Sequence, residues 1–159
     1  PLRGGKYSKY DGGTRIPFIV SYPKMAHRGV SEALVSQVDL FASFAGMLEV
    51  PLDDNAAVDS QDMYAALIGD DPNGRDELMA EDIGCGKLLR RGSWAYLSPS
   101  EGAPYLPYTS TETGVSRDPM LFNMDYDIGQ RDNIAWDFPD VVQDMEARIQ
   151  KIMASPKNR

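Results

Sequence analysis

The residues best suited to chemistry lie near the start of the chain, in the segment 3–15, which reads RGGKYSKYDGGTR. Four of its residues are cations and four are glycines, in a chain that is otherwise acidic. Glycine lets backbone approach a ligand closely, and Arg and Lys side chains bind the oxygens of anions. The segment therefore favours an anionic ligand such as a sulfate or phosphate ester. A basic loop that is simply solvated is the alternative.

Other residues that often carry catalysis are scarce. The chain has one cysteine, Cys85, and one histidine, His27. One cysteine allows no internal disulfide, and the pair cannot form a Cys/His zinc site. A Ser-His-Asp triad would have to use His27, which we interpret as a solvated loop histidine. We expect no metal site within the chain, because the paired carboxylates at residues 53–54 and 70–71 stand in turn-like sequence.

The bulk composition excludes several classes of protein. The chain has 159 residues, 42% hydrophobic and 25% charged, which is ordinary for a globular domain with a real core. Its net charge of -8 repels phosphate backbones, so we expect no nucleic-acid partner. No apolar run approaches the length of a membrane span. Because the sequence opens on Pro1 rather than Met, we expect it to be cut from something longer.

Strand and helix signals alternate in the first half of the chain. Residues 16–22 (IPFIVSY) are rich in β-branched and aromatic residues and predict a buried strand. A short run at 33–35 precedes a helix whose start is marked by the S-x-x-D pattern of Ser36 and Asp39 and whose end is marked by Pro51. The predicted buried face of that helix consists of Phe41, Phe44, Ala45 and Leu48. This order of elements is typical of an α/β fold.

The second half has a different pattern. A short helix at 59–69, capped by Asp59-Ser60 and ended by Gly69, leads into the turn sequence 70–76. Residues 88–97 predict strands around a turn, and residues 120–124 predict a last strand. Between them, residues 98–119 show no periodicity. A terminal helix begins near Pro139, and its apolar face is Val142, Met145, Ile149 and Ile152.

Five motifs in one order give the chain a family resemblance. The pattern G-K-x-x-x-Y-D-G-G-x-R-x-P at residues 5–17 resembles the G-K-x-x-x-[YF]-[ED]-G-G-x-R-x-P signature of the formylglycine-dependent sulfatases of the alkaline phosphatase superfamily. Similar stretches follow at 17–23, 31–47, 59–69, and at 121–123 with 133–135. The resemblance covers most of the chain except 98–119. Departures include Asp11 in place of the commoner Glu, and Gln37 where many members have His.

The resemblance implies roles for particular residues. Lys6 matches the lysine that contacts the sulfate group in this family, and its ammonium would neutralise charge on the sulfate and leaving oxygens. We interpret Asp11, the pair Gly12-Gly13 and Arg15 as the scaffold of the motif rather than as catalytic residues. Tyr105 and Tyr108 lie in the aperiodic stretch, where family members have variable pocket loops. We predict that they bind substrate by stacking on a sugar ring, with a plain surface loop as the alternative.

Other parts of the family's catalytic site have no match in this sequence. Cys85 lies in CGKLL, which lacks the proline and arginine of the C/S-x-P/A-x-R motif, so we interpret it as a structural thiol. The formylglycine nucleophile, the ligands of the expected Ca²⁺ ion and the catalytic histidines would all lie outside this chain. We therefore expect residues 1–75 to be the C-terminal end of the catalytic α/β domain. Residues 76–159 would form a small subdomain of antiparallel strands packed on a C-terminal helix.

The implied activity is that of a sulfuric ester hydrolase in the full-length protein, whose substrate would be a sulfated small molecule or carbohydrate, with a sulfated carbohydrate favoured. The chain alone is expected to be inactive and to need the missing N-terminal part as a partner. The family also implies a periplasmic or secreted location. Two alternatives stay open: a phosphatase or phosphonate hydrolase of the same superfamily, and a non-catalytic binding module.

Overall fold

The computed structural model describes residues 2–25, 27–53, 55–84 and 86–155. The chain divides into two compact units. The first, here called the sheet unit, joins the residues up to Pro17 with Met79–Lys151. The second, the helix unit, consists of Phe18–Leu78 and the residues from Ile152 onward. The domain boundary predicted between residues 75 and 76 refers to a longer enzyme and stays a prediction.

Four α-helices and four strands are assigned in the described residues. The helices are α1 (Asp11–Thr14), α2 (Leu40–Met47), α3 (Tyr64–Ile68) and α4 (Pro139–Ala154), and a 3-10 helix, Gln37–Asp39, directly precedes α2. The strands are β1 (Glu77–Glu81), β2 (Lys87–Arg91), β3 (Trp94–Leu97) and β4 (Met120–Asn123). No described helix has the length and apolar character needed to cross a membrane.

The four strands form one sheet in the order β1-β2-β3-β4. β2 and β3 are an antiparallel hairpin in which Arg91 pairs with Trp94, and β4 pairs antiparallel with β3. The turn between β2 and β3 places Gly92 at a φ of 53°, a left-handed conformation that glycine adopts without strain. The predicted strands at 88–97 and 120–124 are confirmed. β1 was not predicted, because its sequence ELMAE has few residues with strand preference.

The core of the sheet unit lies between the strands, α4 and the start of the chain. Leu89, Ala95, Leu97, Leu121 and Phe122 are fully buried. Met145 and Ile149 on α4 are each 1% exposed, and the Tyr96 hydroxyl donates to Glu146 of α4 at 2.8 Å. The ring of Tyr10 meets Phe122 edge-on at 6.1 Å between centroids. The predicted packing of antiparallel strands on a C-terminal helix is therefore confirmed.

In the helix unit, the predicted start of α2 is confirmed, and of its predicted buried face only Ala45 is buried. Ser36 and Asp39 form a capping box, and the Ser36 N–H donates to Asp39 Oδ2 at 2.9 Å. α2 buries Ala42, Ser43 and Ala45, whereas the three larger predicted residues are exposed, namely Phe41, Phe44 and Leu48. The reason is close approach: segment 60–63 packs on this face, and only small side chains leave room for its backbone.

Contacts between backbone and side chain show how close that approach is. The Ala42 N–H donates to Ser60 Oγ at 2.9 Å, and the Met63 N–H donates to Ser43 Oγ at 2.9 Å. Ser60 was predicted to cap the next helix, and this prediction is wrong, because the N-cap of α3 is Met63. The predicted end of this helix at Gly69 is confirmed, since Gly69 is the C-cap of α3 and has a φ of 83°.

The strand predicted at residues 16–22 is not formed. Phe18 is 46% exposed and Ile19 is 91% exposed. A strand needs a neighbour for its backbone hydrogen bonds, and among the residues described none pairs with this segment. The apolar sequence signals burial, but burial requires a surface that the described residues do not supply.

Candidate functional site

The basic segment 3–15 folds back on itself and holds Lys6 at the surface. The Ser8 N–H donates to the Gly5 carbonyl at 2.9 Å, and the Gly12 N–H donates to the Arg3 carbonyl at 2.8 Å. Lys6 itself is exposed, with its Nζ 5.0 Å from the centre of the Tyr7 ring. Within the described parts of the chain, no carboxylate forms an ion pair with that ammonium. Lys6 therefore presents a positive charge that no described carboxylate compensates, on a compact backbone.

The glycine pair of the motif is required by close backbone packing. A Cβ added to Gly12 would lie 2.4 Å from the Arg3 carbonyl oxygen, and one added to Gly13 would lie 2.3 Å from the Ser8 carbonyl oxygen. Both glycines lie in α1 rather than in a tight turn. Because α1 packs directly on the backbone around Lys6, any side chain here would displace the lysine.

Asp11 opens α1 and is buried, with 4% of its surface exposed. Its N–H donates to Gln130 Oε1 at 2.7 Å, and Arg90 Nη1 lies 3.8 Å from its Oδ2. Burial raises the pKa of the Asp11 carboxyl, while the charges of Arg90 and Arg15 oppose that rise. Asp11 faces the interior of the protein and so belongs to the scaffold of the segment.

An ion pair ties the segment to the aperiodic stretch that follows β3. Arg3 donates from Nε to Glu112 Oε2 at 2.7 Å and from Nη2 to Glu112 Oε1 at 2.9 Å. Its Nη1 donates to the Gln130 carbonyl at 2.6 Å, and the guanidinium lies 4.2 Å from the centre of the Tyr10 ring. The hydrogen bond from Arg3 lowers the pKa of Glu112. Two-pronged pairing of this kind fixes orientation as well as distance.

Lys9 ties the same two segments together from within. It is 1% exposed, and its Nζ donates to the Ser98 carbonyl and to Ser100 Oγ, each at 2.8 Å. Its own N–H donates to the Thr113 carbonyl at 2.9 Å. Burial lowers the pKa of the Lys9 ammonium, and the charge of Asp82 opposes that effect. Lys9 thus contacts both ends of the segment 98–113, here called the excursion.

Within that excursion, residues 104–113 form a small hairpin, here called the tyrosine hairpin. Tyr105 pairs antiparallel with Glu112, and the Leu106 N–H donates to the Thr111 carbonyl at 2.9 Å. Tyr105 is 53% exposed and Tyr108, near the tip, is 100% exposed. The Thr111 methyl group would lie 3.2 Å from a Cβ placed on Gly5, the residue before Lys6. The structure therefore brings the base of the hairpin next to the lysine.

Two other residues were considered from the sequence, His27 and Cys85. His27 is exposed in a loop, as predicted. Cys85 falls outside the described residues. Where the chain is described, no three His, Cys, Asp or Glu side chains are grouped as metal ligands. Sequence reasoning missed Lys9 and Glu112, although Glu112 carries a signal as the one charged residue between Glu101 and Arg117.

Comparisons with known proteins agree with the family that the sequence motifs indicate. The family model described as Sulfatase matches residues 1–50. An N-acetylgalactosamine-6-O-sulfatase of Bacteroides thetaiotaomicron is 38% identical over 151 residues, which are 94% of this chain and 29% of that protein. Arylsulfatase K of Gallus gallus is 25% identical, over 96% of this chain and 28% of its own length.

Structural similarity leads to the same group of proteins. A solved structure from work on the metabolism of glycosaminoglycans by Bacteroides thetaiotaomicron has a TM-score of 0.93 and 35% identity, covering 97% of this chain and 32% of its own. The chain thus spans less than a third of the length of the relatives it matches. The resemblance seen in the motifs is confirmed, and the chain belongs to the sulfatase family, as a C-terminal part of such a protein.

Proposed function

We propose that the chain contributes the sulfate-contacting lysine, Lys6, and one wall of the substrate site to a sulfatase that hydrolyses sulfated carbohydrates. The observation that carries the proposal is the exposed Lys6 ammonium on a backbone held by buried packing, beside a hairpin with two exposed tyrosines. An anion reaching Lys6 meets a cation that no described carboxylate neutralises. Such a group can favour charge that develops on a bound ester.

The chemistry asked of Lys6 is electrostatic. Hydrolysis of a sulfate ester breaks the bond between sulfur and the leaving oxygen, and negative charge grows on that oxygen. An ammonium held near the sulfate stabilises this charge without transferring a proton at each turnover. The formylglycine and Ca²⁺ implied by the family resemblance would act from parts of the protein outside this chain.

The tyrosine hairpin supplies the non-ionic part of recognition. Tyr105 and Tyr108 expose their rings, and aromatic rings stack on the apolar face of a sugar. The relative with 38% identity is named N-acetylgalactosamine-6-O-sulfatase, so a 6-sulfated N-acetylgalactosamine is the first substrate to test.

We place the whole enzyme in the periplasm or outside the cell, and we expect this chain alone to be inactive.

The test uses the whole sulfatase that contains this chain. Lys6→Ala should lower kcat/KM for a sulfate ester by about a hundredfold or more, as expected for the loss of one charged contact to the transition state. Lys24→Ala, which removes an exposed lysine from the helix unit, is the matched control and should leave the rate unchanged. If Lys6→Ala stays within about tenfold of the parent, roughly 1.4 kcal/mol, the role of Lys6 is wrong. A phosphate ester turned over faster than a sulfate ester would instead support the phosphatase alternative.

A further inference from the structure

We infer that Lys9 and the Arg3–Glu112 ion pair act as positioning residues, which hold the tyrosine hairpin beside Lys6 and so set the preference for substrates with a ring beyond the sulfate group. The inference rests on the proposed function, because it needs a sulfate ester at Lys6.

The hairpin has little to hold it in place by itself. Of residues 104–110, only Leu106 is partly buried, and the others are exposed. A lone two-stranded hairpin is at best marginally stable in water. Its geometry therefore depends on the contacts at its base, and several of these come from the segment that carries Lys6.

Lys9 is the first of these contacts. One residue reaches both ends of the excursion, through its ammonium to Ser98 and Ser100 and through its N–H to Thr113. A lysine is rarely buried unless its ammonium is satisfied. A lysine at this depth, with hydrogen bonds only to the excursion among the described residues, serves to join the two segments. Since Lys9 lies three residues after Lys6, these hydrogen bonds hold the hairpin against the segment that carries Lys6.

The Arg3–Glu112 pair is the second contact, and it acts on the strand opposite Tyr105. Glu112 pairs with Tyr105 across the hairpin, so the carboxylate that accepts two hydrogen bonds from Arg3 belongs to the residue directly opposite Tyr105. Arg3 is itself held, by the Gln130 carbonyl and over the Tyr10 ring. Because Arg3 is held by the buried scaffold and binds Glu112, the position of the scaffold determines the position of the exposed Tyr105 ring.

The decisive variant is Glu112→Gln, because Glu112 is partly exposed and its loss should not unfold the protein. Asp144→Asn is the matched control, since it also removes a carboxylate paired with an arginine in the sheet unit, but on α4. Lys9→Met is the second variant, and it removes the ammonium while keeping an unbranched side chain that is one atom shorter. Each is assayed in the whole enzyme with a sulfated N-acetylgalactosamine and with a small alkyl sulfate, which cannot reach the hairpin.

We expect Glu112→Gln and Lys9→Met to raise KM for the sulfated sugar by about fivefold or more with little change in kcat, as for lost binding that is equal in ground and transition states. Turnover of the alkyl sulfate should stay within about twofold of the parent. Asp144→Asn should change neither substrate. Equal losses on both substrates, or no loss on the sugar, would overturn the inference.

A second measurement tests the contacts independently of turnover. In the whole enzyme, hydrogen exchange at the amides of Leu106 and Thr113 should speed up in Glu112→Gln and not in Asp144→Asn. Unchanged exchange in Glu112→Gln would show that the pair does not hold the hairpin. Failure of the proposed function looks different, because Lys6→Ala would then leave the rates on both substrates intact while the exchange result still holds.

Discussion

Two arginine–carboxylate pairs in this chain differ mainly in burial, and we predict that they differ strongly in their contribution to stability. Asp39 and Arg75 are paired in the helix unit with side-chain exposures of 1% and 7%. Asp144 and Arg91 are paired in the sheet unit with exposures of 67% and 47%. The same substitution, Asp→Asn, can be made at both sites. It removes one charge and preserves the size of the side chain.

The structure gives the expected cost at Asp39. Its carboxylate accepts from the N–H groups of Ser36 at 2.9 Å and Gln61 at 3.0 Å, and from Arg75 Nε at 2.7 Å and Nη2. An asparagine has one acceptor oxygen, so some of these donors lose their partner and the guanidinium is left buried with no charge opposite it. Breaking a buried pair in this way costs about 3–5 kcal/mol. The exposed pair at Asp144 should cost about 0–1 kcal/mol.

Hydrogen exchange is the suitable assay, because it reports each unit separately. In Asp39→Asn, the amides of Ala42 and Met63, which donate to Ser60 and Ser43, should exchange about a hundredfold faster or more, following a loss of 3 kcal/mol or above. Asp144→Asn should leave these amides unchanged. A cost below about 1 kcal/mol for Asp39→Asn would show that burial does not govern the contribution of the pair to stability.

Three further outcomes follow from the sheet unit. Gly12→Ala should destabilise the chain by about 1–3 kcal/mol in urea unfolding, because its Cβ meets the Arg3 carbonyl, whereas Gly84→Ala should cost much less, since its Cβ has one contact at 3.4 Å. Burial raises the pKa of the Tyr96 hydroxyl, and the hydrogen bond to Glu146 raises it further. Folding stability should therefore fall as pH rises above about 10, the ordinary pKa of tyrosine. An absorbance titration should find this tyrosine protonated until the protein unfolds. The lowered pKa of Glu112 has the opposite effect on the pH dependence of stability. Its stabilising effect is full above the ordinary value of 4.5 and is lost as pH falls through the folded pKa. Glu112→Gln should therefore make folding stability depend less on pH in the acid range.

Local patterns predicted the sheet unit well. The hairpin of β2 and β3 and the apolar face of α4 depend on turn chemistry and on periodicity, both of which are visible in the sequence. The capping box at Ser36 and the stop at Gly69 were predicted for the same reason. Each is decided by residues within one or two turns of backbone.

Features that depend on distant partners could not be read in this way. Phe41 and Phe44 have helical spacing but are exposed, because segment 60–63 selects the small residues of α2 instead. Lys9 looks like any surface lysine until the fold brings Ser98 and Ser100 against it. For the candidate site, the motif alone indicated Lys6, while the contacts that hold the tyrosine hairpin became visible only in three dimensions.

In the proposed function, the segment around Lys6 binds the sulfate group of the substrate. The most direct test is a structure of the whole sulfatase containing this chain, with a sulfated N-acetylgalactosamine bound and the nucleophile inactivated. The account predicts a sulfate oxygen within about 2.7–3.2 Å of Lys6 Nζ, the range of a charge-assisted hydrogen bond. A sulfate group bound elsewhere, with Lys6 pointing into solvent, would contradict it.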